Sequence, residues 1–431
     1  MNSNNTDIFK QESLLYHKSR NAFDTNGKTG TLLTKECNTT KELSMAYSPG
    51  VAYPCLEIQK DNQKNYTYTN KGNLVAVISN GTAVLGLGNI GHEASKPVME
   101  GKCVLFKKFA NIDAVDLQLS VNSVEEIVNT IYNISDSFGG INLEDIASPQ
   151  CFEIEKQLKK KCNIPVFHDD QHGTAVITTA GLLNVLELYN KKAHELKVVV
   201  IGAGAAGIAC GTMYKSIGIT NIIMIDSKGV IHDKRDDLNK YKQEFAINTS
   251  DRTLKDAMKN ADMVLGLSKA DILTVEMVQS MNDNPIIFAC SNPNPEITPS
   301  LAKQARPDVI IGTGRSDHPN QVNNVLGFPA IFRGALDVQA LKITENMKLA
   351  AAKALATLAQ KDVPSYVKKA HNRENMSFGK QYIIPSPFDK RVLVYVATAV
   401  AKAAIEDSVA NIEEFDIESY EEYLYSMIKD K

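Results

Sequence analysis

The stretch Lys197-Val-Val-Val-Ile-Gly-Ala-Gly-Ala-Ala-Gly-Ile-Ala209 decides the fold of this chain. A β-branched run, Lys197–Ile201, leads straight into Gly202, Gly204 and Gly207, with the small residues Ala205 and Ala206 opening a helix. A second strand, Asn221-Ile-Ile-Met-Ile-Asp226, ends in an acid 24 positions after Gly202. Strand, glycine turn, helix, strand and acid, in that order, form the constellation of a dinucleotide-binding unit. Gly202 permits the tight turn, Gly204 lets backbone approach a pyrophosphate, and Gly207 permits close helix–strand packing. The helix N-terminus then faces the phosphates. Asp226 suits the ribose hydroxyls of NAD. It would repel the 2′-phosphate of NADP unless Lys228, Lys234 or Arg235 compensates, so the reading leans to NAD.

Downstream, Ala261–Ser268, Pro285–Cys290 and Val309–Arg315 read as further parallel strands. Asn292 follows the second of these, and the pair Asn323 and Asn324 follows the third. Any one asparagine there is an ordinary turn former; three at successive strand ends suggest a site. From Thr344 the pattern is helical. Asp389–Ser408 reads as the last long helix, expected to pack back on the first domain, ahead of an acidic tail, Glu413–Lys431.

Upstream lies Ile164-Pro-Val-Phe-His-Asp-Asp-Gln-His-Gly-Thr-Ala-Val-Ile177, a short strand that ends at Asp169 and Asp170 before a helix running to about Tyr189. Gly139–Pro149 likewise reads as a strand ending in Glu144 and Asp145. Adjacent strands would bring the two carboxylate pairs within coordination reach. An all-oxygen set suits Mg²⁺ or Mn²⁺ better than zinc. The plainer alternative is two separate helix caps. His168 and His172 flank the segment as hydrogen bonders around it.

Earlier still, Gly86, Gly88 and Gly91 form a Gly-x-Gly-x-x-Gly after an apolar run, but no acid closes a strand some 20 residues on, so this is not the nucleotide turn. Lys102 precedes Cys103–Phe106, which reads as a strand; a lysine there is a surface charge or, desolvated in a cleft, a general base. Tyr47 precedes a Ser-Pro-Gly turn, where a packed aromatic with a wet hydroxyl is the ordinary expectation.

With 431 residues the chain has room for two or three domains, and 43% apolar with 23% charged residues is a globular balance. The net charge is −3, and no basic block suggests nucleic-acid or membrane binding. Seven cysteines scattered singly argue against a disulfide framework or structural zinc, and for a reducing compartment. No secretory signal is visible, and the longest uncharged stretch, Val198–Tyr214, is too short and glycine-broken for a membrane span. A cytoplasmic enzyme or binding protein is expected.

Three longer stretches carry a resemblance: Tyr47-Ser-Pro-Gly-Val-Ala52, Lys71–Gly91 and Lys96–Phe109. They are similar to the malic enzyme family, closest to its shorter, bacterial-type form, and the likeness runs from about Tyr16 to about Ala410. It implies oxidative decarboxylation of L-malate to pyruvate and CO₂, with NAD or NADP and Mg²⁺ or Mn²⁺, in a homodimer or higher homo-oligomer. It further implies Tyr47 as general acid, Lys102 as general base, and Glu144, Asp145 and Asp170 as metal ligands. Asp169 becomes an accessory catalytic residue, Asn292 a contact for malate and the nicotinamide side, and Asn323 and Asn324 contacts for malate. A lysine base near neutral pH needs a lowered pKa, and a nearby cation would supply part of that shift. One departure stands out: Thr82-Ala83-Val84 occupies the place where larger members carry a carboxylate-binding arginine. Alternatives are a metal-dependent dehydrogenase of another 2-hydroxy acid and a catalytically silent NAD(P)-binding regulator.

The expected architecture is α/β. A flexible tail over 1–15 precedes an N-terminal α/β malate and metal domain over 16–173. A Rossmann-like doubly wound parallel-sheet NAD(P) domain follows over 174–385, and C-terminal helices and tail occupy 386–431.

Overall fold

In the computed structural model, residues 3–18, 26–84, 86–412 and 414–429 are described. Two parallel sheets dominate it. The first holds β1 (Leu74–Ser79), β2 (Asp113–Gln118), β3 (Gly140–Leu143) and β4 (Val166–His168) in the order β2-β1-β3-β4. The second holds β5 (Lys197–Ile201), β6 (Asn221–Asp226), β7 (Gly229–Val230), β8 (Met263–Gly266), β9 (Ile286–Ala289) and β10 (Ile310–Thr313) in the order β10-β9-β8-β5-β6-β7. Within these two sheets, among the described residues, β6–β7 is the one antiparallel pair. The central strands β1, β3, β5 and β9 are buried on both faces, as parallel strands under crossover helices must be, and β1, β5 and β9 are rich in β-branched residues; the edge strand β2 is only half-buried.

The helix Asp169–Tyr189 joins the sheets. It is buried around most of its girth, packing on the helices Ala205–Ser216 and Glu345–Ala359. One continuous apolar core runs from β1 and β3 through this helix to β5, β8 and β9. Both sets of strand C-termini therefore open beside the same helix, which is where ligands collect in such sheets.

Three expectations are corrected. Cys103–Phe106 is not a strand but lies inside the helix His92–Ala110. Its buried residues, Ser95, Met99, Cys103, Phe106 and Ala110, recur every three or four positions, so the local run of apolar residues concealed a helical period. Where a flexible tail is expected over 1–15, Ser3–His17 is helical; residues 1 and 2 lie outside the described residues. The helix Arg391–Glu406, expected to be the last and to pack on the first domain, packs chiefly on Glu345–Ala359 and Phe328–Asp337, and it is not the last. Ile417–Lys429 forms another against it, pinned by Tyr420, whose hydroxyl donates to Asp337 Oδ2 at 2.7 Å; Glu413 lies outside the described residues.

Candidate active site

β3 and β4 are adjacent and parallel, with Leu143 paired to His168. The residues just past them, Glu144–Asp145 and Asp169–Asp170, therefore emerge side by side. Asp169 and Asp170 form the first turn of a helix, whose N-terminal dipole favours negative charge. One carboxylate oxygen from each of Glu144, Asp145 and Asp170 falls within 4.8 Å of the others. The Asp145 N–H donates to Asp170 Oδ2 at 2.8 Å, and Asn142 Nδ2 donates to Glu144 Oε2 at 2.9 Å.

Asp169 faces elsewhere. Its Oδ2 lies 2.6 Å from Lys102 Nζ, which also reaches Glu144 Oε1 at 2.8 Å and sits 4.3 Å from the centre of the Phe328 ring. Asn324 Nδ2 donates to the same Asp169 oxygen at 3.2 Å. Gly173 makes this possible: a methyl group there would come 2.2 Å from Asp169 Oδ1 and 2.8 Å from Asn324 Cγ. The two aspartates thus divide by direction, Asp170 to the carboxylate cluster and Asp169 to the lysine.

Burial raises the pKa of Glu144 and of Asp170, and neighbouring carboxylates add to the rise. A divalent cation would relieve that repulsion, and three convergent carboxylates are donors of the type Mg²⁺ or Mn²⁺ prefers, so the residues fit such an ion. Lys102 departs from the expected lowered pKa. Burial pulls its ammonium down, but the charges of Asp169 and Glu144 outweigh burial and raise it.

The other expected residues are dispersed. Tyr47 is 73% exposed, and its hydroxyl bonds neither Lys102 nor any carboxylate of the cluster. Asn323 caps the short turn Asn324–Leu326 by accepting from the Val325 N–H at 3.0 Å, which leaves Asn324 as the member of the pair at the site. Asn292 sits where the two halves meet, its carbonyl 3.2 Å from where a methyl on Gly86 would lie. The Gly86–Gly91 loop therefore belongs to the first half and abuts the cofactor half. Neither histidine hydrogen-bonds a cluster carboxylate, although His168 Nδ1 lies 3.8 Å from Asp170 Oδ2. The ring of His168 has no hydrogen-bond partner among the described residues, and burial lowers its pKa to about 4. His172 bonds Glu155 and Lys348.

The dinucleotide turn forms as its sequence implies, with Gly204 as the N-cap of the helix Ala205–Ser216, which Ala205 and Ala206 open. A methyl on Gly207 would sit 1.8 Å from the Gly202 carbonyl, so the helix can approach the turn only with glycine there. The turn lies near the loop that follows β3 and carries Glu144 and Asp145, since a methyl on Gly204 would be 4.0 Å from Ser148 Oγ. At the end of β6, Asp226 takes Arg235 Nη1 at 2.9 Å, Arg235 Nη2 at 3.0 Å and Lys242 Nζ at 2.7 Å. Burial pulls its pKa up, but Arg235 and Lys242 prevail and bring it to about 2. Lys228 pairs with Asp237, and Lys234 makes no ion pair among the described residues. Lys242 escapes a sequence reading because it lies 16 positions past Asp226 on a separate short helix.

Glu296 also escapes a sequence reading. Fully buried, it accepts the Ser268 N–H at 2.9 Å and the Ser291 N–H at 3.0 Å, tying together the loops that follow β8 and β9. The only signal was an acid at the end of Asn292-Pro-Asn-Pro-Glu296.

A family model described as the N-terminal domain of malic enzyme matches residues 26–159, and one described as its NAD binding domain matches residues 171–369. The chain belongs to the malic enzyme family. An NADP-dependent malic enzyme of Halomonas elongata is 54% identical over 407 residues, covering 94% of this chain and 96% of that protein. An NAD-dependent malic enzyme of Rhizobium meliloti is 49% identical over 411 residues, covering 94% of this chain and 53% of that one. The chain likewise spans about half the length of several other curated relatives it matches. The crystal structure of a malic enzyme from Pyrococcus horikoshii superposes with a TM-score of 0.88 at 40% identity, over 98% of this chain and 96% of that one. The malic enzyme fold is therefore the fold of this chain, and its second half is an NAD(P)-binding domain.

Proposed function

We propose that this chain oxidatively decarboxylates L-malate to pyruvate and CO₂, with NADP⁺ favoured over NAD⁺. The supporting observation is Lys102 held between Asp169 and Glu144, beside a three-carboxylate cluster and near the dinucleotide turn.

Glu144, Asp145 and Asp170 would hold Mg²⁺ or Mn²⁺. The bound ion supplies Lewis-acid charge that stabilises negative charge developing on the substrate oxygen. An ion there would loosen the carboxylates' hold on the Lys102 ammonium, and Asp169 is placed to take its proton. The neutral amine then accepts the malate hydroxyl proton as the carbinol carbon gives up its hydride to NADP⁺. Asn324 keeps Asp169 aimed at Nζ throughout. After CO₂ leaves, Tyr47 protonates the carbon that carried it.

Tyr47 serves a neighbouring subunit's site in this proposal, and the working unit is at least a homodimer. The helices Thr40–Ala46 and Ala52–Lys60 on either side of it bury none of their residues, while Leu43, Met45, Tyr53 and Leu56 are exposed. That is a surface suited to a second copy.

The NADP⁺ preference rests on Asp226. Its oxygens are taken by Arg235 and Lys242, so they are poorly placed to accept ribose hydroxyls. In the surrounding network, three cations (Lys228, Arg235, Lys242) face two carboxylates (Asp226, Asp237), a surplus of one positive charge. A 2′-phosphate would be drawn to it.

A cytoplasmic location belongs to the same proposal, supported by seven free cysteines. No helix among the described residues is long and apolar enough to cross a membrane. Initial rates with NADP⁺ and NAD⁺ side by side, with Mn²⁺ and with pyruvate and CO₂ quantified, test the reading. Oxidation of malate without CO₂ release would replace it with simple 2-hydroxy-acid dehydrogenation.

A further inference from the structure

Glu155, on the helix Gln150–Lys161, is buried, and its carboxylate accepts from both residues that bracket Asp169–Asp170. The His168 N–H reaches Oε1 at 3.2 Å, and His172 Nε2 reaches Oε1 and Oε2 at 2.8 and 3.0 Å. Lys159 Nζ closes on the same carboxylate at 2.8 Å. On its other side, His172 Nδ1 lies 3.0 Å from Lys348 Nζ, and Lys348 also pairs with Glu345 Oε1 at 2.6 Å. An ammonium has only donors, so Nδ1 accepts and the ring hydrogen sits on Nε2, directed at Glu155. The tautomer is fixed from both ends.

Lys348 is 1% exposed, the sort of position that an apolar side chain would fill more cheaply than an ammonium. Its ammonium bonds His172 and Glu345, neither of which belongs to the carboxylate cluster or to the dinucleotide turn. What the chain Lys348–His172–Glu155–His168 does is grip the first turn of the helix Asp169–Tyr189 from two neighbouring helices, Gln150–Lys161 and Glu345–Ala359.

We propose that Glu155, His172 and Lys348 form a positioning network that sets the directions of Asp169 and Asp170, and through them the affinity of the cluster for a divalent cation. The inference rests on reading Glu144, Asp145 and Asp170 as cation ligands. Removing Lys348 strands no buried charge, because Glu155 keeps Lys159 and Glu345 is largely solvated.

The test is Mn²⁺ binding to the full-length protein, by calorimetry or by electron paramagnetic resonance of free Mn²⁺, beside thermal melting. Lys348→Met should weaken Mn²⁺ binding by about tenfold to a hundredfold, the usual cost of losing support behind ligands, with little change in melting temperature. His172→Leu should weaken it similarly. His172→Gln should restore it to within a few-fold of wild type, because an amide can both accept from Lys348 and donate to Glu155. A merely structural network would lower the melting temperature of all three variants and leave Mn²⁺ affinity in place, which overturns the proposal. If Lys348→Met does not fold, the contrast between His172→Leu and His172→Gln still decides. If the wild-type protein binds no Mn²⁺ that Glu144→Gln abolishes, the ligand reading fails, and this inference with it.

Discussion

Replacing Lys242 with alanine separates the two cofactors. Its Nζ donates to Asp226 Oδ2 at 2.7 Å, which uses one of its three N–H groups and leaves two for a phosphate. Arg235 has no such reserve, since its forks are spent on Asp226 and Asp237. A hydrogen bond to a charged group contributes about 1.5–3 kcal/mol, and about 1.4 kcal/mol is tenfold. Lys242→Ala should therefore lower kcat/KM for NADP⁺ by roughly 10- to 100-fold. It also removes one of the two cations on Asp226 Oδ2, freeing a lone pair there for a ribose hydroxyl while Arg235 stays, so kcat/KM for NAD⁺ should hold or rise. Initial rates at saturating malate and Mn²⁺, varying each cofactor in turn, give the ratio. Equal losses with both cofactors would make Lys242 a general structural support, and an unchanged ratio would refute the phosphate assignment.

Glu144 and Asp170 titrate above the ordinary carboxylate range in the folded protein. Their contribution to stability is thus fully present below about pH 4 and is lost as pH rises through the folded values. Metal-free protein should melt lower near pH 8 than near pH 6, and Glu144→Gln should flatten that difference. Mn²⁺ at a hundredfold over its Kd should add about 2.7 kcal/mol near pH 8; melting curves with no Mn²⁺ effect would count against a shared site. Gly173→Ala forces a methyl onto Asp169 and Asn324 and should cost about 1–3 kcal/mol of stability, with a larger proportional loss of turnover, measured by melting and by rates. Mixing inactive Tyr47→Phe with inactive Lys102→Ala subunits, unfolded and refolded together, should restore activity, because one site in each mixed dimer then has both groups. No restoration would place Tyr47 and Lys102 in the same subunit's site.

Much of this was legible in the chain because parallel buried strands advertise themselves. Leu74–Ser79, Lys197–Ile201 and Asn221–Asp226 are β-branched runs ending at turn residues, and their limits in the structure match the sequence. The carboxylates were legible for a related reason: each pair sits at the end of such a strand. Lys102 is legible as a candidate, but its surroundings are not, since Cys-Val-Leu-Phe is equally apolar in a strand or on a buried helix. The raised pKa of Lys102 depends on Asp169, 67 positions away, and no local pattern carries it. The same holds for Lys242 on Asp226, and for Lys348 on His172, 176 positions apart. Pairings between elements are fixed by packing, and a single sequence shows only the partners.

The most direct test of the catalytic centre is Lys102→Ala assayed for NADPH and pyruvate formation from malate, with Mn²⁺ and NADP⁺ binding measured on the same preparation. A lost general base should lower turnover by about 10²- to 10⁴-fold while the cofactor still binds. Turnover near the wild-type rate would contradict the assignment of Lys102, and with it the account of how Asp169 and the carboxylate cluster are used.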